Sequence, residues 1–323
     1  MNADWKNFLL SEHAVFDNDT DIVFLSPEHE GGKRIYPVAH LGVLTVAGSD
    51  AAKFLQGQIT CNINDISDTK SSLGAMCNPK GRAITTFLLV KNADAFLMIL
   101  PKELLAAVKK RLQMYVLRSN VVLTDSSDEL CLIGLSDDAA QPDDHFATSR
   151  QEENIVINFQ GRYLVIAEAG NARTFWSKQV NQGFQSADSA QWRYLDILSG
   201  IPWLDAATSE EFIPQMLNLD KLGGISFNKG CYTGQEVVAR THYLGKAKRE
   251  MFLAECDALT PPEPNSIIIG DDTSADESLG KVLYAQNRGG VCKMLIILKV
   301  SDMNAYNLKL KNYNQDKITL LTV

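Results

Sequence analysis

The sequence predicts an α+β fold that ends in a small antiparallel β-barrel. Helical stripes and short strand-like runs alternate through the first two thirds of the chain. The pattern resets at Val121, and regularly spaced strand-like runs fill the stretch after Gly245. A length of 323 residues is enough for two or three domains, each with its own core.

The N-terminal part predicts a strand at residues 35–48 and then a short helix, which Ser49 or Asp50 can cap. The polar end of this helix, from Gln56 to Gln58 and on to Thr60, could face a ligand or solvent, and solvent is favoured. Residues 71–90 read as a hairpin, because Asn78-Pro79-Lys80-Gly81 puts Pro at the first central position of a turn and Gly where φ is positive.

After a strand at residues 95–100, the stretch that follows Pro101 predicts a longer helix with an apolar stripe on one face. Residues 121–194 then predict a small α+β unit of four short strands and a helix near residues 172–184. A second amphipathic helix carries Trp192, whose ring is either a core anchor or a wall for a flat ligand. The residues alone favour the core.

The C-terminal stretch contains strand-like runs at regular spacing, separated by turns rich in Pro, Gly, Asn and Asp. Such spacing is typical of a small antiparallel barrel, here of about six strands.

Residues Lys229 to Arg240, KGCYTGQEVVAR, bring reactive groups, glycines and a helix start together. Thr233 and Glu236 have the T-x-x-E spacing of a capping box, which predicts that a helix begins at Gly234. Glu236 and Arg240 are then four residues apart and can pair on one face of this helix.

Cys231 lies two residues before the predicted cap, where unpaired N–H groups and the helix dipole favour an anion. Lys229 is close enough in sequence to add to this effect, which favours a reactive thiolate. A single cysteine near glycines is as often an inert small residue. The residues leave both interpretations open.

Gly245 is placed to end this helix. A basic cluster of Arg240, Lys246, Lys248 and Arg249 surrounds that point. It is either a solvated linker or a contact for an anionic ligand, and the sequence favours neither.

Net charge and missing motifs count against several classes of function. With 39 acidic and 31 basic residues the net charge is −8, so a broad nucleic-acid-binding face is not expected. A nucleotide hydrolase, a zinc protease and a dinucleotide oxidoreductase are disfavoured, since their glycine-rich and H-E-x-x-H motifs are missing.

The six cysteines include no C-x-x-C pair, which favours reduced thiols over disulfides or a zinc site. The chain also lacks a signal-peptide pattern and the roughly 20 consecutive apolar residues of a membrane span. We therefore expect a cytoplasmic protein that does not contact membranes.

The run GGISFNKGCYTGQEVVAR, with FIPQMLNLDKL upstream of it and GSDAAKFLQGQIT near the N-terminus, closely resembles the YgfZ folate-binding proteins. These proteins are relatives of the glycine-cleavage T-protein, an aminomethyltransferase, and include mitochondrial iron–sulfur assembly factors. The K-G-C-Y-x-G-Q-E motif is specific to this group, and the match extends from about residue 35 to 255.

The resemblance implies a T-protein-like fold of three domains around a central folate channel. Residues 1–120 would form an N-terminal α+β domain, completed by residues 195–245 with the KGCYTGQE motif. Residues 121–194 would form a middle α+β domain, and residues 246–323 the barrel.

The resemblance also implies site residues by position. Cys231 is the functional thiol, with Lys229 beside it. Trp192 falls where bacterial members have a tryptophan associated with folate, which gives it a role in stacking on the pterin. A second such tryptophan is replaced here by Leu41. The other folate-binding residues implied are Gln58, Tyr232, Gln235, Glu236 and Arg240.

The sequence departs from the T-protein at the hairpin. The T-protein has an Asp pair that serves methylene transfer, and alignment on the Asn78 to Gly81 turn places Thr85 and Thr86 there. Threonine can neither accept a proton near neutral pH nor stabilise a cation as a carboxylate does. Ordinary aminomethyl transfer is therefore not expected.

Three functions remain. The first is a folate-binding accessory factor in the maturation or repair of iron–sulfur proteins, which acts through Cys231 and affects tRNA modification indirectly. Its cofactor would be tetrahydrofolate, and direct contact with nucleic acid is not expected. Cys231 would either share an iron–sulfur cluster transiently with partner iron–sulfur proteins or assembly factors, or attack an oxidised species.

The second function is a tetrahydrofolate-dependent one-carbon transferase or demodifying enzyme with Cys231 as the nucleophile. The third is a binding module in which folate is structural and the motif only shapes a loop.

Overall fold

The computed structural model describes residues 1–25, 32–138, 144–159, 161–245, 247–258, 260–271, 277–302, 307–313 and 317–321. The helices in this part of the chain are α1 Ala3–Ser11, α2 Ala51–Gln56, α3 Lys102–Val116, α4 Ala169–Asn181, α5 Ser189–Leu198 and α6 Gln235–Leu244.

The strands in the same residues are β1 Ala14–Phe16, β2 Ile22–Phe24, β3 Arg34–Pro37, β4 Leu41–Ala47, β5 Ser72–Cys77, β6 Ala83–Asn92, β7 Ala95–Pro101, β8 Val122–Asp125, β9 Leu130–Ser136, β10 Thr148–Gln151, β11 Asn154–Asn158, β12 Tyr163–Glu168, β13 Gln185–Ser186, β14 Arg249–Cys256, β15 Ile267–Gly270, β16 Gly280–Arg288, β17 Val291–Lys299, β18 Leu308–Leu310 and β19 Lys317–Leu320.

The chain divides into two compact units. The first consists of Met1–Phe54, Ile63–Ser72 and Leu88–Trp192, and the second of Leu55–Asn62, Leu73–Phe87 and Arg193–Val323. The three-domain division implied by the resemblance stays a prediction.

The first unit contains a six-stranded sheet in the order β10-β11-β12-β9-β3-β13, in which β13 runs parallel to β3. Helices α1 and α4 contribute apolar side chains to its core. Trp5 of α1 meets Trp176 of α4 edge to face, with ring centroids 5.6 Å apart. Large aromatic side chains therefore close this core, where each buries roughly 150–250 Å².

The first unit also contains β7, which pairs antiparallel with β4 and with Leu88–Asn92 of β6. β4 pairs on its other side with β8. Helix α3 confirms the predicted helix with an apolar stripe. The buried residues of this stripe are Leu104, Leu105, Val108, Leu112 and Val116.

In the second unit, β5 leads through a tight turn into the first half of β6. The amide of Gly81 donates to the carbonyl of Asn78 at 2.9 Å, and Gly81 has a φ of +72°. The side-chain oxygen of Asn78 accepts from the amides of Lys80 and Arg82 at 2.9 and 3.1 Å. The predicted hairpin and its turn are confirmed.

The second unit ends in the predicted barrel, which is closed and six-stranded in the order β14-β17-β16-β15-β18-β19. Its interior is filled by side chains such as Ile268, Met294 and Ile296. Gly280 is required where β16 meets β17, because a Cβ at that position would lie 2.3 Å from the carbonyl oxygen of Ile297.

No helix in the described part of the chain is long and apolar enough to cross a membrane.

Candidate functional site

The loop that carries the reactive groups, residues 226–234, lies within the second unit and leads into α6. Gly234 is the N-cap residue of α6, with a φ of +84°. A Cβ at Gly234 would lie 2.4 Å from the carbonyl oxygen of Asn78 and 3.0 Å from Cα of Gly81. A Cβ at Gly81 would in turn lie 2.7 Å from Cβ of Val237. Two glycines therefore allow this loop and the hairpin turn to touch through their backbones.

The predicted capping box is wrong. The N-cap residue is Gly234, which has no side chain to accept a hydrogen bond, and α6 begins at Gln235. The amide of Thr233 instead donates to the carbonyl of Gly57 at 3.3 Å, and the side chain of Gln235 accepts from the amide of Tyr232 at 3.3 Å. The left-handed turn at Gly234 accounts for the difference, because it removes Thr233 from the cap position. The predicted helix end is confirmed, with Gly245 as the C-cap residue.

Cys231 is exposed, whereas the other five cysteines are buried. Next to it, Gly230 is exposed, and a Cβ at Gly230 would meet nothing within 4 Å. Burial raises the pKa of the Cys77 and Cys131 thiols to about 12, which suppresses their thiolate forms near neutral pH. Cys231 is therefore the thiol that a partner or substrate can reach.

Lys229 ties this loop to the segment after α2. Its Nζ donates to the carbonyls of Ile59 and Cys61 at 2.7 and 2.8 Å, and it lies 5.1 Å from the centroid of the Tyr232 ring. Burial lowers the pKa of the Lys229 amine from 10.5 to about 8. Its predicted effect on the Cys231 thiol stays a prediction, and its visible role is to position the loop.

The depressed pKa of Lys229 makes stability depend on pH in a defined direction. Between pH 8 and 10.5 the unfolded chain holds a proton at Lys229 that the folded chain has released, so the free energy of unfolding rises with pH in this window. We expect urea unfolding to show wild type gaining stability relative to Lys229→Met from pH 8 to 10. Because other ionisable groups cancel in this difference, parallel pH curves for the two proteins would contradict the assignment.

Thr60 is a site residue that the sequence did not single out. Solvent was the favoured surrounding for this stretch, but Thr60 is fully buried. Its hydroxyl donates to the carbonyl of Gly224 at 2.6 Å and accepts from the amide of Ala75 at 2.8 Å, while its carbonyl accepts from the amide of Ser226. Thr60 therefore joins β5 to the loop. The one signal in the sequence was the position of Thr60, shortly after the polar run from Gln56 to Gln58.

The other predicted site residues of the second unit differ in exposure. Tyr232 is buried, and burial together with the Cys77 and Cys61 thiols raises the pKa of its phenol, which keeps it neutral. The side-chain oxygen of Gln58 is buried without a donor among the described residues. Glu236 and Arg240 are exposed, and the predicted ion pair between them is not formed.

Thr85 and Thr86 are buried on β6. The Thr86 hydroxyl donates to the carbonyl of Pro202 at 2.6 Å, and the Thr85 hydroxyl donates to the carbonyl of Thr86 at 3.0 Å. Both hydroxyls are engaged with backbone and act as structural groups.

A buried carboxylate that lies four residues after Trp192 was also not predicted from the sequence. Asp196 on α5 has no exposed surface, and its Oδ2 accepts from the indole N–H of Trp203 at 2.9 Å. The sequence offers no signal for this pair, because neither residue belongs to a recognisable motif.

Trp192 and Leu41 belong to the first unit. Trp192 is fully buried: its ring stacks on Phe159 with centroids 6.2 Å apart, and the Arg162 guanidinium carbon lies 4.1 Å from its centroid. A Cβ at Gly134 would lie 2.2 Å from the ring. A pterin could stack on Trp192 only if one of these neighbours moved.

Leu41 is buried at the wall of a cavity of about 30 Å³ that Trp5 and Cys131 also line. This space is about that of a single water molecule and too small for a pterin ring.

Comparison with family models finds no match. A protein of Hamiltonella defensa named tRNA-modifying protein YgfZ is 34% identical over 235 residues, which cover 69% of this chain and 70% of that protein. A protein of the same name from Colwellia psychrerythraea is 31% identical over 244 residues, which cover 72% of this chain and 74% of that protein.

Among solved structures, the glycine cleavage system aminomethyltransferase T of Bartonella henselae aligns with 91% of this chain and 86% of its own, with a TM-score of 0.72 and 12% identity. This similarity shows the T-protein fold. With relatives above 30% identity over more than two thirds of each chain, the protein belongs to the YgfZ family.

Proposed function

We propose that this protein is a folate-binding accessory factor in the maturation or repair of iron–sulfur proteins, and that it acts through Cys231. The observation that carries the proposal is the exposure of this one thiol on a loop held by Lys229, Thr60 and Gly234, while the other five cysteines are buried. A fixed, reachable thiol is suited to act on a partner rather than to stabilise its own fold.

Folate could pair with two of the buried polar groups that lack a partner among the described residues. Among the described residues, the buried indole N–H of Trp192 has no acceptor and the buried side-chain oxygen of Gln58 has no donor. A pterin carries both donors and acceptors, and pairing with such groups offsets about 1–3 kcal/mol of desolvation for each one. In the second unit, Gln58 is therefore proposed to contact folate through its side-chain oxygen. In the first unit, Trp192 is proposed to contact folate through the edge of its indole.

When bound, tetrahydrofolate supplies a carrier for one-carbon units. Tyr232, kept neutral by burial, would add a hydrogen-bonding phenol and an apolar ring in the second unit, which also contains Gln58. Gln235, Glu236 and Arg240, polar side chains of α6 that follow the loop, are proposed as further folate contacts.

Cys231 alone cannot hold an iron–sulfur cluster, since such clusters take four protein ligands. In the proposed role its thiolate supplies one ligand to a cluster whose other ligands belong to a partner iron–sulfur protein. The chain would thus need an assembly partner at the moment of transfer. The relatives are named for tRNA modification, and we propose that this effect is indirect and runs through iron–sulfur enzymes, which fits the net charge of −8. We propose a cytoplasmic location for this activity.

The test is complementation of a bacterial strain that lacks its own YgfZ-family protein. Cys231→Ala is expected to abolish most of the restored iron–sulfur enzyme activity and tRNA thiolation, because the side chain that contacts the partner is lost. Asn228→Ala, an exposed change in the same loop, is the matched control and should complement like wild type. Full complementation by Cys231→Ala would remove the thiol from the mechanism.

A tetrahydrofolate-dependent transferase is the second candidate, favoured by the exposed nucleophile of Cys231. The engaged hydroxyls of Thr85 and Thr86 count against the carboxylate chemistry of the T-protein. Labelled methylene-tetrahydrofolate should transfer its carbon to an acceptor only with wild type if this candidate holds. Equal transfer by Cys231→Ser would exclude the thiol as its nucleophile.

A further inference from the structure

A group of rings lies at the C-terminal end of α6, with His242 and Tyr243 exposed and Phe227 half-buried. Phe227 and His242 stack with centroids 3.6 Å apart and an interplanar angle of 12°. Tyr243 meets His242 edge to face at 4.8 Å, and Leu244 follows directly. We call Phe227, His242, Tyr243 and Leu244 the α6 aromatic surface.

Three of the four residues of the α6 aromatic surface are open to solvent. Tyr243 is 64% exposed and Leu244 82% exposed, and His242 is exposed as well. Single exposed apolar residues are common, but a contiguous group of aromatic and aliphatic side chains is typical of an interaction site.

The fold does not require these side chains. Val238 is the one buried residue of α6, and its carbonyl accepts from the side chain of Gln215 at 2.6 Å. The helix is therefore anchored in its middle, and its last turn presents Tyr243 and Leu244 without using them in a core.

Charge around this surface differs from that of the whole chain. The stretch from Gln235 to Arg249 has one acidic residue and four basic ones, in a protein of net charge −8. The side chains of Arg240 and Lys248 are exposed and make no ion pair within the described residues. Lys246, the remaining lysine of the predicted basic cluster, lies outside the described residues. Exposed cations on this helix and shortly after it complement an acidic surface.

We propose that the α6 aromatic surface, with Lys248, docks an acidic protein surface that carries an apolar anchor. This inference rests on the proposed function, because the docked protein would be the one that meets Cys231. Leu244 favours a protein over nucleic acid, since an aliphatic side chain gains from burial in an interface but offers no face on which a base can stack.

The geometry allows one partner to reach both places. Phe227 belongs to the same loop as Cys231, and Tyr243 lies about 12 Å along the helix from Gln235, at 1.5 Å per residue. A protein interface of ordinary size, roughly 800 Å² per partner, spans that distance.

Complementation of the strain described above tests the surface separately from the thiol. Leu244→Asp and Lys248→Glu are each expected to lower the restored iron–sulfur enzyme activity by about tenfold, as loss of an interface anchor does. Leu25→Asp and Lys110→Glu, exposed changes in the first unit, are the matched controls and should act like wild type. Alkylation of Cys231 and thermal melting should be unchanged in Leu244→Asp, since the side chain contributes to no core.

The outcomes separate the two proposals. If Cys231→Ala complements and Leu244→Asp does not, the thiol role fails and the docking surface stands. Wild-type activity of Leu244→Asp would overturn the docking surface whatever Cys231 does. Binding of bulk tRNA tests whether the surface instead contacts nucleic acid. If wild type binds tRNA and either Tyr243→Ala or Lys248→Glu weakens this binding, the choice of a protein partner is overturned. If neither variant changes tRNA binding, the choice of a protein partner is supported.

Discussion

Replacing Gly234 with alanine is expected to lower the free energy of unfolding by about 2–5 kcal/mol and to displace the loop that carries Cys231. Two costs add up. A non-glycine residue pays about 1–2 kcal/mol for the left-handed backbone at φ +84°. Its Cβ would also lie 2.4 Å from the carbonyl oxygen of Asn78, and overpacking of this kind costs about 1–3 kcal/mol.

Two other glycines separate these costs. Gly223 has a φ of +73° with nothing within 4 Å of a Cβ, so Gly223→Ala should be destabilised only by the left-handed backbone. Gly230 has free space and no positive φ, so Gly230→Ala should change stability by less than about 0.5 kcal/mol. Urea unfolding of the three variants measures the order. A Gly234→Ala protein no less stable than Gly223→Ala would show that the loop does not press on the hairpin turn.

Replacing Trp192 with alanine is expected to cost about 3–5 kcal/mol of stability, because a fully buried ring is lost. The cavity would lie between Phe159, Gly134 and the Arg162 guanidinium, all of which contact the ring. Chemical denaturation measures this loss, and it is expected whether or not folate binds.

Trp192→Phe tests the folate proposal with less damage to the core. It keeps an aromatic ring but removes the indole N–H, so affinity for tetrahydrofolate should fall by roughly fivefold, the value of one hydrogen bond. Trp176→Phe is the matched control, because Trp176 is equally buried and its N–H also lacks an acceptor among the described residues, but no folate contact is expected there. Calorimetric titration that gives the two variants the same affinity would contradict the Trp192 contact.

Elements set by local pattern could be predicted from the sequence. The apolar stripe of α3, the turn at Asn78 to Gly81 and the six strands of the barrel each follow from side-chain periodicity and turn chemistry within a short window. The thiol and its loop could also be found, because the motif from Lys229 to Arg240 is continuous in sequence.

The parts that failed depend on contacts between distant residues. Thr233 and Glu236 satisfy the pattern of a capping box, but contact with the turn at Asn78 selects a left-handed Gly234 and leaves the pattern unused. The two backbone carbonyls that accept from Lys229 lie about 170 positions earlier, at Ile59 and Cys61. Because every residue has a backbone carbonyl, the sequence does not show which ones will bind a lysine.

The paired glycines at 81 and 234 also constrain how this protein can change over time. A Cβ at Gly234 would meet the backbone of the turn, at the carbonyl oxygen of Asn78 and Cα of Gly81, so no smaller side chain in the turn can relieve a substitution there. A Cβ at Gly81 would lie 2.7 Å from Cβ of Val237 in α6 and 3.1 Å from the carbonyl oxygen of Gly234. An insertion in the hairpin turn would shift the start of α6 as well. We therefore expect relatives that lengthen this turn to alter the loop before α6 in the same lineage, so that the two segments evolve as one unit although about 150 residues separate them.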